Sequence, residues 1–196
     1  MNTAYAKPDT LLGTALAPMD RTRSVSLVFA FSLLMALSAQ FAIPIGPVPI
    51  TGQTFVVLLT GALLGARLGA AAMIVYLVEG AIGLPFFSQG RGGLAHLLGP
   101  TGGYLVSFPA AAFITGAFAE HGWDKKFHTA AAAMAIGSVV IMLGGWAWFS
   151  FVTNTPAFVA FQNTVLPFIP GDIVKILLAA AALPIGWKFV HHPGEK

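Results

Sequence analysis

The sequence predicts an all-α integral membrane protein, a compact bundle of six transmembrane helices with cytoplasmic termini and outer loops that cap a ligand cavity. Three observations predict it. Hydrophobic residues make up 57% of the 196 residues and charged residues 9%, where a soluble domain carries about 25% charge. Apolar runs of membrane-spanning length recur along the chain, separated by proline- and glycine-rich or charged connectors. With six crossings and the N-terminus inside, eight of the ten basic residues fall on the cytoplasmic side, leaving Arg91 and Lys175 outside. The chain contains no cysteine, which excludes disulfides, thiol catalysis and thiolate metal ligands. Its net charge of +3 is spread over loops, so it speaks to topology and not to nucleic acid.

Residues 1–24 read as a cytoplasmic leader. They lack the continuous apolar core and cleavage site of a removed signal peptide. Residues 25–190 form the transmembrane domain, and 191–196 a cytoplasmic tail. Val25 to Ile43 runs without a charge and, at 1.5 Å per residue, spans roughly 28 Å, about one hydrocarbon core. Pro44, Pro47 and Pro49 stop it in an extended turn. The second helix starts near Thr51 or Gln53 and reaches Ala66, and the third runs from Leu68 to about Phe86. Further helices are expected from Gly102 to Ala119, Thr129 to Phe151 and Asp172 to Val190, with a short one at Phe158 to Asn163.

Gly61, Gly65 and Gly69 stand four apart, a spacing that lets helices approach closely in lipid. It fits either an internal packing seam or a docking face for another subunit. Ser32 and Ala36 form a similar, weaker pair. Glu79 lies in the third apolar run. A carboxylate there costs about 2.5–3.5 kcal/mol to insert, so it should face the bundle or a cavity. Phe86 is a second expected cavity-lining residue.

The stretch from Gly83 to Tyr104 is rich in glycine yet too apolar for a solvated linker. It reads as a cap folded over a small molecule, with Gln89, Arg91 and Tyr104 as its polar groups. Asp172 and Lys175 form a second landmark. Asp172 can cap the last helix, or the two can present a polar pair beneath the cap. Gly-Arg-Gly-Gly and Gly-Pro-Thr-Gly-Gly lack the Gly-Lys-Ser/Thr ending of a phosphate loop. No serine-hydrolase or zinc-protease motif is present.

Pro47-Val-Pro-Ile-Thr-Gly-Gln53, Gly61-Ala-Leu-Leu-Gly-Ala-Arg-Leu-Gly69, Gly83-Leu-Pro85, Gly99-Pro-Thr-Gly-Gly-Tyr104 and Pro167-Phe-Ile-Pro-Gly-Asp-Ile-Val-Lys175 together resemble the BioY family over about residues 25 to 190. These proteins are the biotin-specific substrate-capture components of energy-coupling-factor vitamin transporters. The resemblance implies a chain that takes biotin as transported ligand from outside, with no catalytic residue, cofactor or metal of its own. It implies a multi-pass protein of the bacterial inner membrane, in contact with lipid and docked on a coupling subunit with two ATPases. Gln53, Tyr104, Asp172 and Lys175 fall at motif positions near the ligand, and Gln89 and Arg91 add polar groups from the cap. Ser32, Ala36, Gly61 and Gly65 are then the expected docking residues. Which polar group meets the ureido ring and which the carboxylate stays open. The rival reading is a polytopic membrane enzyme using Glu79, His96 or Asp172 as acid, base or metal ligand.

Overall fold

The computed structural model describes residues 10–190; Lys7 and the expected tail at 191–196 lie outside them. The short helix α1 (Leu11–Ala15) begins at Thr10, whose Oγ1 accepts from Gly13 N at 3.2 Å. The long helix α2 (Arg21–Gln40) starts four residues before the expected Val25, because Asp20 caps it through Arg23 N at 2.7 Å. It ends at Gln40. The next residues form a small hairpin instead, β1 (Ala42–Ile43) pairing antiparallel with β2 (Ile50–Thr51). After it come α3 (Gln53–Leu64) and α4 (Ala66–Ala81). The short cap helix α5 (Leu94–Leu97) precedes α6 (Gly102–Glu120). Then α7 (Phe127–Thr153), the short α8 (Ala157–Thr164) and α9 (Ile169–Val190) complete the described chain.

Four of these, α2, α6, α7 and α9, are long and apolar enough to cross a membrane. Helices α3 and α4 have 12 and 16 residues. Helix α4 stops short of the expected Phe86: Gly83 turns the chain at φ +107°, and Leu84 N bonds back to Glu79 O at 3.2 Å. The outward faces carry large apolar side chains such as Leu37, Val78, Leu143 and Leu178, all more than half exposed. The interior of the bundle is built from smaller residues, among them Ala39, Ala72, Ala111 and Ala180. That distribution suits lipid around the bundle and close helix approach within it. This is a multi-pass membrane protein.

The glycine spacing resolves as an internal seam. A Cβ on Gly61 would sit 2.3 Å from Ala112 O, so the backbones of α3 and α6 are in contact there. Gly65 makes the turn between α3 and α4 at φ +85°, and Glu120 Oε1 accepts from the first amide of α4, Ala66 N, at 2.9 Å. Ser32 and Ala36 are likewise buried, on the side of α2 that packs against α4. Ser32, Ala36, Gly61 and Gly65 therefore face this chain's own helices, which for the glycines is the internal-seam alternative and not the docking face. Small side chains are needed there because the partner backbone is internal. On α2 the exposed small pair is Ser26 and Ala30.

The loops sort to two ends. One end holds the hairpin, the cap around α5 and α8. The other holds α1, the α3–α4 turn and the α6–α7 connector. Helix α1 is packed against α3 and α9, with Leu11 buried opposite Gly186, so no break in packing falls at 24/25. In the α6–α7 connector, Asp124 is 2% exposed and its Oδ2 accepts from Trp187 Nε1 of α9 at 2.6 Å. Lys125 Nζ lies 4.6 Å over the Trp187 ring. Among the described residues Asp124 Oδ1 and Thr115 Oγ1 find no hydrogen-bond partner, and both residues line one small void closed by alanines, Met134 and Leu183. Burial pushes the Asp124 carboxyl up to about 6, against the opposing effects of the Trp187 bond and Lys125.

Two predictions follow from this layout. Single cysteines at Pro47 and Gln162, in a chain without any, should react with an impermeant thiol reagent on intact cells, while one at Arg67 should not. Labelling at position 67 from outside would reverse the orientation. The second concerns pH. A carboxyl raised from 3.8 to about 6 on folding keeps its proton in the native state where the unfolded chain has lost it. Its contribution to stability is complete below 3.8 and declines as the pH rises to about 6. Asp124→Asn should flatten that part of the melting-temperature profile in detergent. A variant that keeps the wild-type slope would show that another group titrates.

Candidate ligand-binding site

The hairpin brings β2 and the start of α3 over the first turns of α9, and a polar cluster forms where they meet. Lys175 Nζ donates to Thr51 O at 2.9 Å, Thr54 Oγ1 at 2.8 Å and Asp172 Oδ1 at 3.2 Å. Asp172 is 4% exposed, and its other oxygen accepts from Ser138 Oγ of α7 at 2.7 Å. Thr54 Oγ1 also reaches Asp172 Oδ1 at 3.3 Å. Asp172 was expected at the start of the last helix. It lies instead in the first turn of α9, which begins at Ile169, since Pro170 is tolerated where a helix has no amide partners. Its carboxylate is thus turned sideways into the bundle and does not line the recess.

Beside this cluster opens a recess of about 450 Å³, partly continuous with solvent. Lys175, Gln53 and Tyr104 line it together with Thr51, Thr54 and Phe168. Gln53 is buried. Its Nε2 donates to Tyr76 Oη at 2.8 Å and its Oε1 accepts from Thr51 Oγ1 at 3.0 Å. The Tyr104 hydroxyl donates to Thr164 O just before α9, and its ring stacks on Phe168 with centroids 5.8 Å apart. Gly145 of α7 backs that ring: a Cβ there would lie 2.2 Å from it.

A second, larger recess of about 620 Å³ adjoins the first, and the two share Pro49, Ser88, His96 and Thr101. Gln89 and Arg91 line this outer recess, not the inner one. Gln89 sits at φ 62°, in a tight turn whose ends pair through Phe87 N and Arg91 O at 2.8 Å. Gln40, at the end of α2, holds this turn by accepting from Gly90 N at 2.9 Å and donating to Phe87 O at 3.3 Å. His96 stacks on the buried ring of Phe87, centroids 5.3 Å apart. Partial burial, and then the charge of Arg91, hold its pKa below the usual 6.5.

Six expected site residues are thereby accounted for: Gln53, Tyr104 and Lys175 in the inner recess, Gln89 and Arg91 in the outer one, Asp172 behind Lys175. Glu79 and Phe86 line neither and are corrected. Tyr76 and Gly80 take the inward face of α4 at that level, leaving half-buried Glu79 to one side, its Oε2 without a hydrogen bond among the described residues. Phe86 contributes its carbonyl to Tyr76 Oη at 3.2 Å while its ring packs on the core. Thr51, Thr54, Ser138, Gln40 and Phe168 were missed. Threonine next to the Gln53 motif was visible in the sequence, but Ser138 lies in an otherwise apolar helix and gave no signal. Among the described residues no three histidines or carboxylates come together.

A model of the BioY family matches residues 9–192, so it takes in residues expected to lie outside the resemblance. The chain is 43% identical over 160 residues to the probable biotin transporter BioY of Pyrococcus horikoshii, covering 81% of this chain and 93% of that one. It is 40% identical to the biotin transporter BioY of Rhizobium etli, over 79% and 84% of the two chains. A crystal structure of the S-component for biotin from an ECF-type ABC transporter superposes with a TM-score of 0.78 at 28% identity. That match covers 87% of this chain and 95% of the other.

The close approach of Gly145 to Tyr104 makes a test from outside the recess. Gly145→Ala should push the Tyr104 ring into the inner space and away from Thr164. Ligand affinity should fall at least tenfold while the purified protein keeps its helical spectrum. Undiminished affinity would mean that the Tyr104 ring does not bound the ligand.

Proposed function

The chain belongs to the BioY family, and from this premise we propose that it is the biotin-capturing component of a vitamin uptake transporter and not an enzyme. The observation that carries this is the convergence of Gln53, Tyr104 and Lys175, distant in sequence, on one half-enclosed recess.

Biotin asks for three things: an apolar slot for its fused rings, one donor and two acceptors for its ureido group, and a partner for its carboxylate. In our reading the rings enter the inner recess against Tyr104, Phe108 and Phe168. Gln53 uses one Nε2 hydrogen on Tyr76 and keeps the second for the ureido oxygen. The oxygens of Thr51, Thr54 and Tyr104 can accept from the ureido N–H groups. Lys175 supplies positive potential beside the ureido oxygen, but its three hydrogens already go to Thr51, Thr54 and Asp172. Arg91 is exposed and makes no ion pair among the described residues, so the carboxylate lies outward, toward it.

The proposed setting is a bacterial plasma membrane crossed six times, with α3 and α4 as the short crossings and the recesses on the outer side. A coupling subunit with two ATPases would supply the energy, docking on α2 where Ser26 and Ala30 face outward. The family assignment leaves the enzyme reading without support.

Asp172 acts through Lys175 in this scheme. Asp172→Asn removes the anionic partner of a half-buried ammonium, which is then free to turn into the recess. Biotin affinity measured by calorimetry should fall by roughly ten- to a hundredfold. Lys175→Met, which keeps the stem's packing, should do the same and also lower the melting temperature, because buried Asp172 loses its cation. Wild-type affinity in both variants would show that the pair only joins α9 to α3.

A further inference from the structure

The inner and outer recesses differ in how they hold a ligand. The inner one is bounded by buried aromatic rings and a closed hydrogen-bond network. The outer one is larger, about 620 Å³, and its polar side chains Gln89 and Arg91 are exposed. Its rim carries Pro44, Pro47, Pro49 and Pro100, which have no amide hydrogen to offer a ligand and stiffen the loops. Its cation is Arg91, exposed and unpaired among the described residues. Whatever leaves the inner recess past Ser88, His96 and Thr101 therefore meets space, not a wall.

This inference rests on the reading of the chain as a biotin-capture component with the ring inward. We infer that the protein also captures biotin whose carboxyl is joined in an amide to a small amine, the added group occupying the outer recess. The physical reason is where recognition is concentrated. Burial of the fused rings and the ureido hydrogen bonds both lie in the inner recess and are unchanged by a substituent on the acid. The acid itself gains one solvent-exposed ion pair, an interaction worth on the order of a few-fold in affinity. An amide forfeits that pair and nothing else, and a longer amine finds room beside Gln89 and Arg91. A site that buried the carboxylate on Lys175 would behave in the opposite way, because a conjugate would place a bulky group where the protein is closed.

The test is competition against labelled biotin on the purified full chain in detergent. The competitors are biotin, its neutral methylamide, and biotin linked to the ε-amine of lysine. Both conjugates should bind within about tenfold of biotin. Arg91→Gln should weaken biotin and bring the acid-to-methylamide affinity ratio to about one. Biotin binding with exclusion of both conjugates would overturn the inference and leave the biotin reading standing. Failure of all three ligands, in a protein with a normal melting curve, would overturn the biotin reading itself. An acid-to-methylamide ratio that Arg91→Gln leaves unchanged would also overturn the inference, since the tail would then not pass by Arg91.

Discussion

The site depends on one buried ion pair and the hydrogen bonds that complete it. Lys175 and Asp172 stand three residues apart on α9, Asp172 buried in the bundle and Lys175 half-buried at the edge of the recess. Each is satisfied by elements other than its own: Lys175 by the hairpin and α3, Asp172 by α3 and α7. Breaking one contact would strand a charge, so the hairpin, α3, α7 and α9 are held in one arrangement. Affinity for a ligand beside such a cluster comes from groups already in place.

The same economy of polar groups explains the rest of the cap. Gln40 and Trp148 reach out of long helices to hold the loop backbones at Gly90 and Gly99, 2.9 Å away in each case. The cap is therefore fixed by side chains from α2 and α7 as much as by its own turns.

At the opposite end the structure keeps a carboxyl that is less well served. Asp124 has one oxygen on Trp187 and one facing a void, and its raised pKa records that imbalance. The bond nevertheless ties the α6–α7 connector to α9, the helix that carries the ligand-side ion pair. One helix thus links a tightly satisfied charge cluster at one end to a pH-sensitive one at the other.

Much of this was legible in the sequence. The apolar runs marked the long helices, because lipid-facing and buried positions are both apolar and a span leaves little room for charge. The prolines marked the hairpin loop, and the motifs brought Gln53, Tyr104 and Lys175 forward as site residues. The sequence by itself determined the runs and the proline turn, since each follows from local periodicity, backbone restriction or a residue's cost in lipid; Gln53 came forward only through the family resemblance of its motif. Tertiary structure alone decided which way a side chain turns. It put Ser32, Ala36, Gly61 and Gly65 against the chain's own helices, moved Glu79 and Phe86 off the recess, and divided the polar groups between two chambers. A small residue reads the same whether the backbone it admits is its own chain's or a partner's. A serine in an apolar helix reads the same until a carboxylate on another helix is placed 2.7 Å away, as Asp172 is from Ser138.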